Sequence, residues 1–510
     1  YPLPGNRVSP EDAAQASAPA YRTGTQRSVI AFDNRFIQLP TAFWRRQLPS
    51  PLRNPRLLSV NASLLHELNI DSAWIHSAEA LAGLSGHAVW PGAEPIAMKY
   101  AGHQFGGWNP DLGDGRGVLL GEIIDRHGRR QDLHLKGSGP TPFSRMGDGR
   151  AVLRSSIREY LAGEALHALG VPTTRALALV SSDEPVQRER RETGATLLRI
   201  ADSHIRFGHF EWLCHSQQHD LLPVLADHVI ARHYPDCAQA EKPFSALFGQ
   251  IVQRTATLMA DWQAVGFAHG VMNTDNFSIS GQTLDFGPYA FMESYDPSLI
   301  CNHSDHNGRY AWYLQPSVGF WNLNALAQAF TPLVSVADLR AALETYEPTL
   351  TAHYDTRMRH RLGLQQTELN DKLLVQAWLD LLRAANADYP IRSRNLGQRS
   401  VVEQLNTVDA DWGIHAETAR AWLLRYQTRL LREATDEPTR QQSILRAVPA
   451  YVLRNYLAEI AIKAAEAGNA EPLEALLAVL QSPFLERPEW AGYAGEAPAW
   501  GRCLSISCSS

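Results

Sequence analysis

Alternating apolar and polar positions predict β-strands in the first half of the chain. Residues 132–136, Asp-Leu-His-Leu-Lys, alternate in the way that is typical of a strand, and Lys136 lies at its end. Apolar runs at residues 174–180 and 195–201 predict two further strands. Between these runs, residues 183–193 are rich in Arg and Glu, so we interpret them as a surface loop.

Helical spacing begins near residue 155 and dominates the second half of the chain. Apolar positions recur at helical spacing through residues 155–169, where Gly170 and Pro172 predict the end of a helix. A second clear helix is predicted over residues 245–267. Further helices are predicted over residues 373–387, 418–433, 453–468 and 471–480. Strands followed by helices indicate an α+β fold, with a β-rich part before a helical part.

The clearest chemistry lies in one stretch near the middle of the chain. Residues 269–287 contain Asn276 and Asp285, and Asp285 begins an Asp-Phe-Gly triplet like the magnesium triplet of kinases. Carboxylate and amide oxygens suit Mg²⁺, and kinase-type sites use them to hold the ion against nucleotide phosphates. We expect residues 277–284 to form two short strands around a turn at Gly281, which would bring both oxygens to one side. The stretch therefore predicts a metal and phosphate site.

The same stretch departs from the kinase pattern at the catalytic base. In small-molecule kinases with the same His-Gly opening, the second residue after the histidine is the base aspartate, and here that residue is Val271. Valine cannot accept a proton. Either the chain has lost kinase catalysis, or another carboxylate serves as the base. Asp275, beside the metal asparagine, is the candidate within the loop.

A glycine-dense loop is a candidate for binding phosphate. Residues 113–117, Gly-Asp-Gly-Arg-Gly, precede a β-patterned run. Glycine lets backbone amides approach an anion without a Cβ in the way, which makes Gly113 and Gly115 candidate nucleotide contacts. Arg116 adds a guanidinium, which binds phosphate through two hydrogen bonds. A plain hairpin turn would have much the same sequence, and both interpretations stay open.

Lys136 is a second candidate for binding phosphate. Kinase-like folds place such a lysine on a strand and pair it with a glutamate of the following helix. Glu159 lies one turn into the helix predicted over residues 155–169. It has a competing role, because Ser156 and Glu159 also match a helix capping box. We favour the pairing with Lys136, because other kinase elements occur in the expected order along the chain.

Two arginines and an Asp-Gly pair complete the candidate site. Arg199 falls inside an apolar strand and Arg206 follows shortly after, and a charge in such a place needs a partner. The partner is either a nucleotide phosphate or a structural Asp or Glu. Asp148 and Gly149 lie in a long glycine-rich insert between the Lys136 strand and the helix. They are candidates for contacting ribose or adenine, or they form an ordinary turn.

Composition narrows the class of protein. The chain has 510 residues, of which 45% are hydrophobic and 20% charged, which is enough for about two or three domains with cores. Its net charge of −6 argues against a nucleic-acid partner. No run approaches the ~20 apolar residues that span a bilayer, and the first residues lack the apolar core of a signal peptide, so we expect no membrane partner. Five cysteines in so long a chain fit a reducing compartment.

Taken together, these motifs resemble the selenoprotein O family, also called SelO or YdiU. The resemblance rests on the glycine loop with Arg116, Lys136, the long insert, Glu159, the Asn-Thr-Asp-Asn run at 273–276, the Asp-Phe-Gly-Pro-Tyr run at 285–289 and the Cys-Ser-Ser end at 508–510. It extends over nearly the whole chain. Cys508 stands where animal members place selenocysteine, which resembles a bacterial member. A cytoplasmic location is implied for such a member, whereas eukaryotic relatives are mitochondrial.

The resemblance implies a protein-kinase-like bilobal fold and a nucleotidyl transfer reaction. Members transfer AMP from ATP to Ser, Thr or Tyr hydroxyls of proteins, and the nucleotide lies flipped relative to kinases so that its α-phosphate faces the acceptor. The implied cofactors are ATP and Mg²⁺, or Mn²⁺ in its place. We expect an N-terminal extension over residues 1–95, a β-rich N-lobe over 96–212, a helical C-lobe over 213–400 and a C-terminal extension over 401–510.

The matching motifs also assign roles to residues. Phosphates would be bound by Lys136, Arg199 and Arg206, with Glu159 orienting the lysine. The nucleotide pocket would be lined by Gly113, Gly115, Arg116, Asp148, Gly149 and Asp285. Asn276 and Asp285 would hold Mg²⁺, and Asp275 would accept the proton. Two alternatives stay open, namely an ordinary kinase that transfers the γ-phosphate and a non-catalytic nucleotide-binding scaffold.

Two cysteines suggest redox control. Cys508 lies at the end of the chain and Cys301 lies in the segment after the Asp-Phe-Gly triplet, so a bond between them would couple thiol state to activity. An inert tail is the alternative. The expected partners are protein substrates, with redox proteins among the candidates.

Overall fold

Strands fill the first part of the chain and helices the second, in a computed structural model that describes residues 29–504 and residue 506. The predicted α+β class is confirmed, and the arrangement is compatible with a protein-kinase-like fold. Among the described residues, no helix has both the length and the apolar character needed to cross a bilayer.

The strands and helices have the following bounds. The strands are β1 Trp44–Arg46, β2 Arg56–Val60, β3 Ile96–Gln104, β4 Gly107–Gly113, β5 Gly117–Ile124, β6 Arg130–Lys136, β7 Ala151–Val152, β8 Arg175–Gln187, β9 Arg191–Ala201, β10 Phe267–Ala268 and β11 Ala290–Phe291. The helices are α1 Ala62–Glu67, α2 Ser72–Ile75, α3 Ala78–Leu84, α4 Leu153–Ala168, α5 Phe207–His215, α6 Leu221–His233, α7 Pro243–Val265, α8 Gln315–Phe330, α9 Val336–Glu344, α10 Tyr346–Arg361, α11 Asp371–Ala384, α12 Tyr389–Gln398, α13 Val401–Asn406, α14 Val408–Trp412, α15 Ala416–Leu430, α16 Glu437–Ala447, α17 Asn455–Glu466 and α18 Glu471–Leu480. The helices predicted from apolar spacing are confirmed to within a few residues at each end.

One antiparallel sheet organises the β-rich part. Its order is β1-β3-β5-β6-β9-β8-β2, with β4 also paired to β3 and β7 to β9. The end strands β1 and β2 come from the segment before residue 95. That segment therefore wraps the sheet that follows it in the chain.

The prediction of a surface loop over residues 183–193 is wrong for most of these residues. β8 continues to Gln187 and β9 begins at Arg191, and the two pair through Pro185 with Thr193 and through Val186 with Glu192. The Arg and Glu content of this hairpin reflects how exposed it is. Charged side chains can project into water while the backbone hydrogen bonds of a strand pair persist, so charge alone does not end a strand.

The side chains of strand β6 show that the two faces of the sheet pack against different helices. Leu133 and Leu135 belong to an apolar cluster with residues of α1 and α3. Because side chains alternate along a strand, Lys136 points to the opposite face. There α4 packs, through an apolar cluster that includes Ile157 and Leu161. The sheet therefore presents its polar β6 positions to α4.

The helix α7 delivers the chain to the candidate site. It ends at Gly266, whose φ of +72° is left-handed and whose N–H donates to the Gln263 carbonyl. Glycine adopts this conformation without the penalty of a Cβ. The chain then forms β10 and a single 3₁₀ turn at Thr274–Asn276.

Candidate nucleotide and metal site

A cleft of about 620 Å³ collects the residues singled out from the sequence. It is lined by side chains of the sheet, of the insert around residue 145 and of the loop around residues 271–288. The lining includes Gly113, Gly115, Arg116, Lys136, Asp148, Gly149, Arg199, Arg206, Asp275, Asn276 and Asp285. Residues from Gly113 to Asp285, far apart along the chain, thus meet in one place.

A chain of ion pairs runs along one wall of the cleft. Glu159 pairs with both Lys136 and Arg199. Arg199 Nη2 lies 2.6 Å from Asp285 Oδ1, and the other oxygen of Asp285 pairs with Arg206. Three cations therefore face two carboxylates, which leaves an excess of positive charge toward the cleft.

Strand register and one helix place these charges together. Arg199 on β9 lies opposite His134 on β6, two positions from Lys136 on the same face. Glu159 reaches that face from α4 and is buried. It does not cap the helix, because α4 begins at Leu153 and has no side-chain cap.

Burial and neighbouring charges set the protonation of this cluster. Burial favours the neutral form of Glu159, but Arg199 and Lys136 outweigh it and hold the pKa of that carboxyl at about 2. Burial lowers the pKa of Lys136 to about 8, although Glu159 acts against it. Despite burial, Arg199 and Arg206 hold the pKa of Asp285 well below its usual value. Both carboxylates are therefore ionised at neutral pH.

Arg206 ties the cluster to the loop that carries Asp275. Its guanidinium donates to the Asp275 carbonyl oxygen at 2.7 Å and lies 4.7 Å from the centroid of the Tyr100 ring. The sequence left two kinds of partner open for Arg199 and Arg206, namely a structural carboxylate or a nucleotide phosphate, and the structure is compatible with both. Arg199 and Arg206 form structural ion pairs, and both also line the cleft where phosphates would bind.

Side-chain hydrogen bonds hold the loop that carries Asn276. Asn273 Oδ1 accepts from the Phe105 N–H at 3.1 Å and from the Tyr310 hydroxyl at 2.7 Å. Asn276 Nδ2 donates to the Val271 carbonyl at 3.0 Å. Since this bond uses the amide nitrogen, the Asn276 Oδ1 remains available as an acceptor for a ligand.

Asp275 lies in an environment that makes it easy to protonate. Gln104 Nε2 donates to its Oδ2 at 3.3 Å, while its Oδ1 is buried without a hydrogen-bond partner. Burial raises the pKa of the Asp275 carboxyl to about 7, against the opposing effect of Arg206. The carboxyl can therefore gain and lose a proton near neutral pH.

The turn before Asp285 is present, although the strands expected around it are not. Gly281 has a φ of +81°, and Phe277 and Thr283 form a single antiparallel bridge in place of two strands. Thr283 also forms a parallel bridge with Thr173, so its backbone is shared with the segment after α4. Asp285 itself has a φ of +56°, which is uncommon for a residue with a Cβ.

The oxygens in the cleft fit a divalent ion. Asp285, the Oδ1 of Asn276 and the unpartnered Oδ1 of Asp275 line the same cleft. Carboxylate and amide oxygens are the ligands that Mg²⁺ takes, together with water and substrate phosphates. Among the described residues, no group of three or more His, Cys, Asp and Glu side chains could hold a metal alone. An ion here would need ligands from the nucleotide.

Comparisons with known proteins identify the family of the chain. Residues 26–481 match the family model described as "Protein adenylyltransferase SelO". The chain belongs to the SelO family. A relative from Vibrio atlanticus is 49% identical over 481 residues, covering 94% of this chain and 99% of the relative. One from Pseudomonas entomophila is 50% identical over 481 residues with the same coverage, and one from Pseudoalteromonas atlantica is 50% identical over 465 residues, 91% of this chain and 97% of the relative.

Each of these relatives is named "Protein nucleotidyltransferase YdiU". Membership in the SelO family therefore makes the chain an enzyme of the nucleotidyltransferase class.

The glycine loop of this SelO-family chain is both a turn and a wall of the cleft. It is a turn that joins β4 to β5, but not a hairpin turn, because in the described sheet each of these strands pairs with β3 and they do not pair with each other. The loop also lines the cleft. A Cβ at Gly113 would come within 2.6 Å of the Phe143 ring, and one at Gly115 within 2.9 Å of the Phe143 carbonyl oxygen. Glycine at both positions therefore lets the insert pack closely. Arg116 is exposed at the same place.

Asp148 of the SelO-family insert contacts its own chain. Its Oδ1 accepts from the Arg150 N–H at 2.9 Å, and Arg188 donates to both of its oxygens at 2.7 and 2.9 Å. Gly149 has a φ of +69°, and a Cβ there would lie 2.1 Å from Gly139. The ordinary turn is therefore present, and it lies on the wall of the cleft.

Three residues of the site escaped sequence reasoning. These are Gln104, which donates to Asp275, Tyr100, whose ring lies under Arg206, and Asp114, whose Oδ2 accepts from the Met98 N–H at 3.0 Å and lies 3.4 Å from His134 Nε2. Asp114 lies within the glycine loop, so an acid flanked by glycines was a usable signal. Gln104 and Tyr100 lie on β3, and nothing in their spacing indicates that β3 crosses the Asp275 loop.

The two cysteines proposed as a redox pair lie apart from the cleft lining or outside the described residues. Cys301 packs against Gly270 of the loop, where a Cβ would come within 2.8 Å of its Sγ. Burial raises the pKa of the Cys301 thiol to about 12. The His303 N–H donates to the Ile506 carbonyl at 2.7 Å, which places the last described residue beside this segment. Cys508 lies outside the described residues, and its pairing with Cys301 stays a prediction.

Proposed function

We propose that this SelO-family enzyme transfers AMP from ATP to Ser, Thr or Tyr hydroxyls of proteins, with a bound Mg²⁺ or Mn²⁺ ion. One observation carries the proposal. A cleft with an excess of cationic side chains also holds Asp275, whose pKa of about 7 suits a general base, while Val271 stands where kinases have theirs. The names of the relatives support nucleotidyl transfer to protein.

The cationic side chains would supply most of the catalysis. Transfer of AMP builds negative charge on the α-phosphate and on the departing pyrophosphate, and fixed cations stabilise that charge. Lys136, Arg199 and Arg206 are held by Glu159 and Asp285, so their positions are set before substrate binds. Arg116 at the exposed rim would bind the outer phosphates.

Asp275 would accept the proton of the attacking hydroxyl. Its side chain lines the cleft, and its buried Oδ1 has no hydrogen-bond partner within the protein. We propose that the α-phosphate lies nearest this carboxylate, with the pyrophosphate along the cationic wall. That orientation of the nucleotide is flipped relative to kinases. It explains why the base is Asp275 and why the kinase base position can be occupied by Val271.

Asn276 and Asp285 would hold the divalent ion. When bound, such an ion neutralises phosphate charge that the arginines do not reach. Because both oxygens of Asp285 already pair with arginine, its carboxylate is fixed in place before the ion arrives.

The lobes of a kinase-like fold would enclose this cleft. We propose an N-lobe over residues 96–212 and a C-lobe over residues 213–400, with α5 at their junction. The segments 1–95 and 401–510 would then be extensions of the two lobes.

Labelled ATP tests the proposed reaction. The chain is incubated with a protein acceptor and, in separate reactions, with ATP labelled at the α- or the γ-phosphate. We expect label on protein from the α form alone, and mass spectrometry should find AMP on a hydroxyl side chain. Label from the γ form would show a kinase, and label from neither form would show a scaffold.

The variant Asp285→Ala tests the site within the same assay. It removes a metal ligand and the counter-ion of Arg199 and Arg206, so we expect transfer to be abolished. Asp409→Asn is a matched control, because Asp409 is exposed and pairs only at the surface with Arg420. Full transfer by the Asp285→Ala variant would remove Asp285 from the mechanism.

A further inference from the structure

A second cavity, of about 420 Å³, lies among helices and shares no lining residue with the nucleotide cleft. The ends of α4 and α7 form one side of it, and α10 and α16 contribute the other. It lies near the end of the helix that carries Glu159. Nothing in the proposed transfer reaction uses this cavity.

The cavity is lined by basic residues without acidic ones. Arg357, His360, Arg361 and Arg446 line it, and its other lining residues include neither Asp nor Glu. The chain as a whole has more acidic than basic residues, with a net charge of −6. A concave surface of one sign in such a chain attracts ligands of the opposite sign.

Arg361 is the residue that indicates a missing ligand. It is only 6% exposed, its Nε has no hydrogen-bond partner, and it forms no ion pair with any residue that the structure describes. Its guanidinium lies over the Tyr389 ring, 4.7 Å from the centroid. Stacking on a ring face leaves the edge of a guanidinium free to bind an anion through two hydrogen bonds. A buried charge without a counter-ion is costly, so the site is incomplete as it stands.

Neutralisation of the helix ends explains only part of this cluster. Arg357 donates to the Leu169 carbonyl just after α4 at 3.3 Å, and its Nε lies 3.2 Å from Asp261. These contacts account for Arg357. Arg361 contacts the Tyr389 side chain but forms no ion pair among the described residues, and Arg446 is exposed to solvent at the cavity, so neither charge is neutralised there by an acidic side chain.

The uncharged groups that line the cavity are also suited to a phosphorylated ligand. Gln365 Nε2 donates to Ser443 Oγ at 2.8 Å, which leaves the Ser443 hydroxyl proton free to donate in turn. Val265, Pro449 and Phe484 give the cavity an apolar side. The volume exceeds what one phosphate group needs, so there is room for an organic part beside the cations.

We propose that this cavity is a binding site for a small organic phosphate, with the phosphate group on Arg361, Arg446 and Ser443. Arg357 and His360 would complete a ring of donors around it. The site is separate from the nucleotide cleft and does not depend on the transfer reaction. The two proposals can therefore fail independently.

Calorimetric titration of the full chain with inorganic phosphate tests the site. The nucleotide cleft can also bind phosphate, so the titration is repeated with Lys136→Met, which removes a cation of that cleft and leaves the lining of the second cavity unchanged. We expect one binding event that persists in Lys136→Met. Its absence would overturn the proposal, and so would binding of citrate without binding of phosphate.

Variants assign the binding to the cavity. Arg361→Met should weaken phosphate binding roughly ten- to hundredfold, since it removes a charged donor. Arg361→Lys keeps the positive charge but loses the planar guanidinium, so its affinity for phosphate should lie between those of the parent and of Arg361→Met. Arg420→Gln, an exposed position that pairs with Asp409, should bind as the parent does.

A second position protects the test against misfolding. Arg446 is exposed, so Arg446→Gln should leave the fold intact and weaken phosphate binding roughly tenfold. If Arg361→Met does not fold, this variant decides alone. Unchanged binding in Arg446→Gln and in any folded Arg361 variant would overturn the proposal.

Discussion

Asp275 and Asp285 have the same side chain, and their surroundings give them opposite affinities for a proton. Asp285 lies between the guanidinium groups of Arg199 and Arg206, which keep it ionised. Asp275 is buried with a single amide donor, Gln104, on one of its oxygens. Of these two carboxyl groups, which are ten residues apart, Asp285 carries a fixed negative charge and Asp275 can exchange a proton. Active sites commonly separate acid and base roles in this way.

The activity should therefore depend on the protonation of Asp275. Its pKa is about 7, and the ionised form is the base, so kcat/KM should rise with pH through about 7; because the pKa of Lys136 is about 8, loss of that charge should lower kcat/KM again above about pH 8. Asp275→Asn should lower kcat roughly 10²- to 10⁴-fold and flatten the rise. The measurement is a pH profile of transfer for both proteins. A profile in the parent that is flat from pH 5 to 9 would exclude Asp275 as the base.

The same residue should reduce stability at high pH. A carboxyl whose pKa is raised on folding contributes stability that is fully present below its unfolded pKa and is lost as the pH rises through the folded value. For Asp275 the loss falls between about pH 4 and 7, and the shift corresponds to roughly 2–4 kcal/mol. Asp275→Asn, which cannot ionise, should thus be more stable than the parent at pH 8.

Denaturant titrations at two pH values check this expectation. At pH 5 the carboxyl is ionised in the unfolded chain but largely protonated in the folded one, so only part of the loss has occurred and the difference in free energy of unfolding should be smaller than at pH 8. An equal difference at pH 5 and pH 8 would mean that packing, not ionisation, separates them. A gain in stability together with a loss of transfer would be typical of a residue kept for function.

At the scale of elements, the Asp275 loop is held between β3 and α5. The His103 N–H of β3 donates to Thr274 Oγ1 at 2.7 Å. Gly102 lies so close that a Cβ there would be 3.0 Å from Asp275. At the start of α5, a Cβ on Gly208 would come within 2.0 Å of the Ala101 carbonyl oxygen. Two glycines thus allow a strand, a helix and the loop to meet at one point.

Gly208→Ala should therefore disturb both stability and activity. The backbone oxygen cannot yield to the new methyl group, so α5 must shift away from β3, at a cost of roughly 1–3 kcal/mol. Because α5 begins beside Arg206, the shift should also lower transfer. Urea unfolding and the rate of transfer measure the two effects.

Gly249→Ala is the matched control for this substitution. Gly249 lies within α7, and a Cβ there would meet nothing within 4 Å. Alanine favours a helix over glycine by up to about 1 kcal/mol, so this variant should be as stable as the parent or slightly more so, with unchanged transfer. Similar losses in both variants would argue against a specific contact between α5 and β3.

The contacts at this junction also show what a sequence pattern can predict. Apolar spacing predicts α4 and α7 because the face that each buries repeats along the chain. The pairing of Lys136 with Glu159 followed from their positions on a strand and the next helix. Gln104 and Tyr100 were missed because their roles depend on β3 crossing a loop that lies far away in the chain. No local pattern records such a crossing. The hairpin at 183–193 was mispredicted for a different reason, because its exposed charged side chains are compatible with a strand pair as well as with a loop.

At the scale of the whole molecule, α4 connects the ion-paired cluster around Glu159 to the C-terminal helices. One side of α4 faces the sheet, and its other neighbours include α17 and α18. Arg158, next to Glu159, donates to the Tyr289 carbonyl at 2.8 Å and to Asn455 Oδ1 at 3.2 Å. The Tyr289 hydroxyl donates back to the Arg158 carbonyl at 2.8 Å. One side chain thus links α4, the segment after Asp285 and α17.

Arg158→Met should therefore reduce transfer as well as stability. Methionine retains much of the apolar packing but loses both hydrogen bonds, each worth roughly 1.5–3 kcal/mol for a charged donor. Arg190→Met is the control, because Arg190 also pairs with α17, through Glu466 at 3.6 Å, but does so at an exposed site worth less than about 1 kcal/mol. Unfolding and transfer are measured for both variants.

Comparing the loss of stability with the loss of transfer in Arg158→Met shows what the C-terminal helices contribute. If they only add stability, Arg158→Met should unfold more easily yet transfer normally at temperatures where it is folded. If they position α4, kcat should fall in the folded variant, because Glu159 holds Lys136 and Arg199 from the same helix. We expect the second outcome. Since the hydrogen bonds of Arg158 join α4 directly to Tyr289, normal transfer by the folded variant would show that α4 is held in place by its apolar contacts alone.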